Sequence, residues 1–166
     1  MMRSRAMLSS DLDAVAALEA RLTPQPWSTS MLADELRQGS FCRVLVTDAE
    51  KQVGYALLRP LLDEWHLMAI GIDQAWQGCG WGGFLLHEAI RHAVEHQGRV
   101  LLLEVRLSNL PAQRLYASLG FRLLHRRRHY YRTPLPEDAL VMELPLDSKT
   151  GIHPYPPPDH APLIVK

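Results

Sequence analysis

Cysteine is nearly absent. Cys42 and Cys79 are the two in 166 residues, so at most one bridge can form and no paired spacing of a structural metal site exists. That scarcity fits a reducing compartment, and a cytoplasmic location is expected. Long apolar runs are missing too. None approaches the roughly 18 residues that a membrane span needs, and Met1-Met2-Arg3-Ser4-Arg5 is not followed by an apolar signal core. Charge of one sign is also lacking, since 18 basic residues balance 18 acidic ones. Such a balance gives no general attraction to nucleic acid or to a membrane, so neither is expected as a partner, although a local patch can hide within it. What is there is globular material, 47% hydrophobic and 22% charged, in a length that suits one domain with a proper core.

Proline and glycine are unevenly placed. Several of the 12 prolines crowd the last stretch, so residues 1–147 read as the domain and 148–166 as an extended or flexible tail outside it. Gly78, Gly80, Gly82 and Gly83 cluster in one short segment. Around them the apolar pattern alternates between helix and strand periods. Ser10 with the acids after it opens a helix to about Leu22. Pro24 and Pro26 break it, and a second helix starts at Trp27-Ser28 and stops before Gly39. Residues 43–47 and 53–58 read as an antiparallel hairpin, and 64–72 as a central strand. After the glycines come a helix over 84–97, a nearly continuous apolar strand over 100–107 and a helix opening at Ser108-Asn109-Leu110-Pro111. Residues 121–124 and 139–144 form a last hairpin around a polar connection at 126–138.

A strand, a glycine-rich loop and a helix make an anion cradle, because backbone N–H groups free of side chains converge on the ligand and the helix dipole adds to them. A Walker-type loop needs Gly-Lys-Ser/Thr where Gly82-Gly83-Phe84 stands, which disfavours it. Gly78, Gly80 and Gly83 match a dinucleotide fingerprint, yet Gln74-Ala75-Trp76-Gln77 separates them from the strand and the upstream antiparallel hairpin is foreign to that fold. Tight packing alone would need fewer glycines. The third register, Gln77-x-x-Gly80-x-Gly82, resembles the acyl-CoA loop Q/R-x-x-G-x-G/A of the GNAT acyltransferase superfamily.

The resemblance extends over roughly residues 3–146. Pro26-Trp27-Ser28, Leu62-Asp63-Glu64, Leu103-Glu104-Val105-Arg106, Ser108-Asn109, Leu115-Tyr116-Ala117-Ser118-Leu119-Gly120-Phe121, Arg127-Arg128-His129-Tyr130-Tyr131 and Glu137-Asp138-Ala139 resemble, in order, the ribosomal-protein-alanine N-acetyltransferase (RimI) family. Those bacterial enzymes acetylate the α-amino group of the eighteenth small-subunit ribosomal protein. The resemblance implies an α/β (α+β) fold with a mixed, mainly antiparallel, bent sheet flanked by helices, whose central strands, about 65–72 and 100–107, splay to admit acetyl-CoA. It also implies Glu104 as general base and Tyr116 as general acid. The backbone of Ile70, Gly71 and Ile72 would hold the acetyl-pantetheine arm. Gln77, Gly78, Cys79, Gly80, Trp81, Gly82 and Gly83 would hold the pyrophosphate, and Asn109 the pantetheine side. This chain departs from the family at Gly78, where a basic residue commonly follows the Gln, and at Trp81 and Gly83, which replace an aliphatic residue and an Arg; fewer charges then reach the cofactor, but the amide cradle stays.

The chemistry agrees with such roles. Acetyl transfer to an amine needs a neutral nucleophile, a polarised thioester carbonyl and a proton for the leaving thiolate. An α-amine is about one-tenth neutral at pH 7 and a lysine only about one part in 2,500, so one carboxylate suffices for an N-terminal substrate. Glu104 is the one ionisable residue within the apolar run 100–105, where a carboxylate is costly unless it faces a cleft. On the acceptor side, Trp27, Glu64, Tyr130 and Tyr131 are candidate peptide contacts, with Asp63, Glu64, Glu137 and Asp138 as an acidic counterpart for a basic peptide. Arg126-Arg127-Arg128 reads as a solvated run. His92-Ala93-Val94-Glu95-His96 fits a zinc-protease spacing, but reads as an exposed helix flank, and no metal is expected. A GNAT enzyme acting on a small amine or a lysine side chain, and a non-catalytic acyl-CoA-binding protein, are the alternatives.

Overall fold

The computed structural model describes residues 1–147 together with Pro157 and Pro158; the tail expected over 148–166 otherwise lies outside the described residues. A seven-stranded sheet runs in the order β1-β2-β3-β4-β5-β7-β6. Its strands are β1 (Met2–Ala6), β2 (Phe41–Thr47), β3 (Gln52–Leu61), β4 (Glu64–Ile72), β5 (Val100–Arg106), β6 (Arg122–Tyr131) and β7 (Glu137–Pro145). Every pair is antiparallel except β4 with β5. Four helices flank it: α1 (Leu12–Leu22), α2 (Thr29–Arg37), α3 (Trp81–Glu95) and α4 (Leu110–Ser118).

The period-2 alternation of the strands decides which helix covers which face. On β2 and β3, Val44, Val46, Tyr55 and Leu57 pack with Val15, Leu18 and Leu32 of α1 and α2, while Leu45 and Ala56 turn the other way toward Trp81 and Leu85 of α3. The rest of α3 buries Leu86, Ala89, Ile90 and Ala93 against β4, β5 and β7. Helix starts follow their side chains. Ser28 caps α2 by accepting from the Met31 N–H, and Asn109 caps α4 by accepting from the Ala112 N–H at 3.2 Å.

Three readings from sequence are corrected. The opening of α1 is a 3-10 turn, Ser9–Asp11, closed by the Asp11 carboxylate, which accepts from the Leu8 N–H at 2.8 Å and pairs with Arg5; Ser10 is not the cap. α3 begins at Trp81, so Gly82 and Gly83 lie in its first turn. The stretch 126–138 is mostly not a connection, because β6 continues to Tyr131; its residues 122–130 are exposed on both faces, so there is no apolar alternation to read. The other edge strand, β1, went unread for a similar reason, being a short Met-Arg-Ser-Arg-Ala run.

The central feature is the parallel pair. Glu64, Trp65, His66 and Leu67 of β4 pair with residues 100–103 of β5, and there the pairing ends. β4 goes on to Ile72 bonded only to β3, and β5 goes on to Arg106 bonded only to β7. The sheet therefore opens in its middle.

Candidate active site

A cleft of about 650 Å³ fills the opening. Its walls are residues 67–70 of β4 and 103–106 of β5, closed by Tyr116 from α4, Tyr130 and Tyr131 from β6, and the segment after α1 with Trp27. The sheet thus brings Glu104, Tyr116, Ile70, Asn109, Trp27, Tyr130 and Tyr131 to one place, although they come from six parts of the chain.

Glu104 is half-buried at the point where β5 leaves β4, and 28% of its side chain is exposed. Arg127 on β6 reaches across β7 to place its Nη1 3.7 Å from Glu104 Oε1. It does so past Ala139, the small β7 residue opposite it, and lies over the Tyr130 ring at 4.3 Å. The arginine run is therefore not simply solvated. Arg106, two residues along β5, stacks on Tyr131 at 4.1 Å and donates to the Thr133 carbonyl at 2.9 Å, which pins the β6–β7 connection over the cleft. Tyr116 is 6% exposed, with its ring 5.8 Å from that of Phe121, and burial pushes its hydroxyl up to about 12. Burial, then Tyr130 and Glu104, push Tyr131 to about 12 as well.

The glycine loop lies beyond the end of β4. Gln77 Nε2 donates to the Ile72 carbonyl at 2.9 Å and ties the loop back to the strand. Gly78 and Gly80 have φ of +74° and +92°, left-handed values that need glycine. The first intrahelical bond of α3 runs from the Phe84 N–H to the Gly80 carbonyl at 3.0 Å. The N–H groups of Trp81, Gly82 and Gly83 ahead of it are left pointing out of the helix, as at any helix start. A Cβ at Gly78 would meet nothing, and one at Gly80 would meet only Pro158, at 3.3 Å. Unpaired helix-start N–H groups beside glycines fit a pyrophosphate. Gly82 has a packing duty as well, since a Cβ there would touch Leu115 at 3.4 Å. The Trp81 side chain is in the core, its indole N–H buried without a partner among the described residues, so only its backbone faces the loop. Cys79 is half-buried, its Sγ 3.6 Å from the Gln77 carbonyl.

The four acids expected on the acceptor side are engaged elsewhere and do not line the cleft. Glu64 pairs in register with Val100 at the opposite end of the sheet opening, roughly 13 Å along β5 from Glu104, and with Asp63 it is bound to Arg99. Glu137 accepts from the Ser108 N–H at 2.7 Å and pairs with Arg106, and Asp138 binds Arg126 and the His129 N–H. Those acids hold the fold together. The acid that lines the cleft besides Glu104 is Glu19, which sequence reading missed; its one signal is a carboxylate next to Leu18 on the buried stripe of α1. Tyr55 donates its hydroxyl to Glu19 and passes beneath Gly71, where a Cβ would lie 2.3 Å from the Tyr55 oxygen.

His92 and His96 stack on each other at 3.9 Å, with His92 also against Phe41, and no group of three or more His, Cys, Asp or Glu among the described residues is placed to hold a metal. No described helix is long and apolar enough to cross a membrane.

The model of the acetyltransferase (GNAT) family matches residues 12–121. Ribosomal protein bS18-alanine N-acetyltransferases of Escherichia coli K12 and Salmonella typhimurium are 36% identical over 140 residues and 37% over 141, in both cases across 83% of this chain and 93% of the relative. The crystal structure of the ribosomal-protein-S18-alanine N-acetyltransferase from Escherichia coli is similar at TM-score 0.80 and 34% identity, over 87% of this chain and 94% of that one. Ard1 from Thermoplasma volcanium shares the fold at TM-score 0.81 and 20% identity, over 87% and 97%. The chain belongs to the GNAT acetyltransferase family. It is an acetyl-CoA-dependent N-acetyltransferase of α/β fold.

Proposed function

We propose that this enzyme acetylates the α-amino group of an N-terminal alanine in the bS18 ribosomal protein, working in the cytoplasm on a protein substrate. The support is the similarity to enzymes named for that reaction over most of their length. The observation that carries it in the structure is the presence of Glu104 and Tyr116 in one cleft at the parting of β4 and β5. Residues 1–147 act as the catalytic domain.

When bound, acetyl-CoA supplies an activated thioester carbonyl. The amides at Gly78, Gly80 and the start of α3 hold its pyrophosphate, with Gln77 fixing the loop and Cys79, Trp81, Gly82 and Gly83 contributing backbone. The edge of β4 at Ile70, Gly71 and Ile72, free of a β5 partner, aligns the pantetheine arm, and Asn109 borders it. Glu104 takes a proton from the incoming α-ammonium, directly or through a water, and the neutral amine attacks the carbonyl. Tyr116, which burial keeps protonated, gives its proton to the departing thiolate, and the second proton that the nitrogen sheds on becoming an amide restores the phenol through water. Trp27, Tyr130 and Tyr131 border the peptide. No thiol serves as an acetyl carrier: Cys42 is in the core, its thiol pushed up to about 11 by burial, and Cys79 belongs to the glycine loop.

Glu104→Gln tests the reading, with a peptide starting with Ala as acceptor and one with a blocked N-terminus and a free lysine beside it. The expected result is a drop in kcat of about 10²- to 10⁴-fold on the Ala peptide with an unchanged melting temperature, and little turnover of the lysine peptide by the native enzyme. Full activity of E104Q sinks the assignment of the base, and efficient turnover of the lysine peptide sinks the α-amine specificity.

A further inference from the structure

Among the described residues three carboxylates are buried, Asp11, Glu19 and Glu35. Two are matched by a cation, Asp11 by Arg5 and Glu35 by Arg59. Glu19 is not: no ion pair reaches it among the described residues. Its donors are neutral, the Tyr55 hydroxyl and the Trp27 N–H, the latter 3.5 Å from Oε1. It is 5% exposed, and what remains open of it faces the cleft. A buried carboxylate without a counter-charge is costly, and a well-packed apolar residue would relieve that cost. The other carboxylate of the cleft, Glu104, already has Arg127 beside it. The place in the cleft that lacks a positive charge is therefore at Glu19.

We infer that Glu19 is a specificity-determining residue that receives the charged α-ammonium of the acceptor before Glu104 takes its proton. The inference rests on the reading of the acceptor as an α-amine. It divides the work between two acids. Glu19, shielded from water, attracts the cation strongly, and Glu104, more open and beside Arg127, removes the proton. Once the proton has moved, the nitrogen is neutral, its attraction to Glu19 falls away, and the lone pair is free for the carbonyl. The same arrangement selects against acceptors whose N-terminus carries no charge.

The test uses two peptides of one sequence, the first starting with Ala and the second with the α-amino group replaced by hydrogen. Binding of each is measured with the native enzyme and with Glu19→Gln, which removes the charge, keeps an acceptor oxygen for one of the two donors and leaves its amide NH2 able to donate to the Tyr55 hydroxyl. The expected result is that E19Q weakens the amino peptide about tenfold and changes the des-amino peptide less than twofold. The loss falls on KM for the amino peptide more than on kcat. Unchanged binding of the amino peptide overturns the inference, and so does equal weakening of both, which would reduce Glu19 to shaping the Trp27 segment. If E19Q does not fold, Tyr55→Phe, which removes a neutral donor and leaves the carboxylate, keeps or increases the preference for the amino peptide; loss of that preference overturns the inference. A native enzyme that binds the two peptides equally also overturns the inference, whereas the α-amine reading itself falls only if the amino peptide is not acetylated.

Discussion

Burial raises both Tyr116 and Glu19, with opposite consequences for chemistry. A phenol held near 12 keeps its proton through the working range and is a donor at every pH at which the enzyme turns over. A carboxylate pushed up holds its charge less firmly, and a cation beside it favours that charge. Tyr116→Phe therefore removes a proton without removing a ring, and the expected outcome is a fall in kcat of about 10²-fold, similar at pH 7 and pH 9, with KM for peptide nearly unchanged. Steady-state kinetics at both pH values check it. Glu104 was legible because it interrupts an apolar strand, where one charge stands out. Glu19 was not, because glutamates are ordinary on a helix such as α1, and its burial depends on Tyr55 arriving from β3. Arg127 was hidden in a run of three arginines, and it is the pairing of β6 with β7, with Ala139 opposite it, that brings it to Glu104.

The loop before α3 separates two duties of glycine that the sequence presents as one cluster. Gly80 is required for its backbone angle, and Gly82 for its contact with Leu115. Gly80→Ala forces a left-handed alanine, at roughly 1–2 kcal/mol, or reshapes the cradle. KM for acetyl-CoA is expected to rise about tenfold while KM for peptide stays put. Initial rates at varied acetyl-CoA measure it, with Gly82→Ala as the comparison, expected to affect stability more than cofactor affinity. Elements with at least one buried face, such as β2, β3, β4, α2 and α4, lay where the apolar pattern put them. Elements without one did not: β6 buries little on either face, so pairing with β7, which is not local in sequence, is what makes it a strand.

Across the whole molecule, the order of the strands was not readable, but the parting of β4 and β5 followed from the family resemblance, and the structure has it from Leu67 and Leu103 onward. Stability should carry the mark of the other end of α3. His92 is driven down to about 4, by burial first and then by His96 and Arg43, with Glu95 opposing them. The unfolded chain binds that proton near 6.5 and the folded one only near 4, so stability present above pH 6.5 is lost as pH falls toward 4. Urea midpoints from pH 7 to pH 4 should decline, and His92→Phe should flatten the decline, because a ring remains to stack on Phe41.

Gly71 lies on the strand proposed to align the donor, and Tyr55, under it, bonds to Glu19, the acid proposed to face the acceptor. Any side chain at 71 would push that phenol aside and with it the carboxylate, so the floor of one substrate's channel and the wall of the other's are cut from the same two residues. Donor and acceptor recognition in this enzyme cannot drift independently: a change that widens the path for one substrate also moves the charge that greets the other.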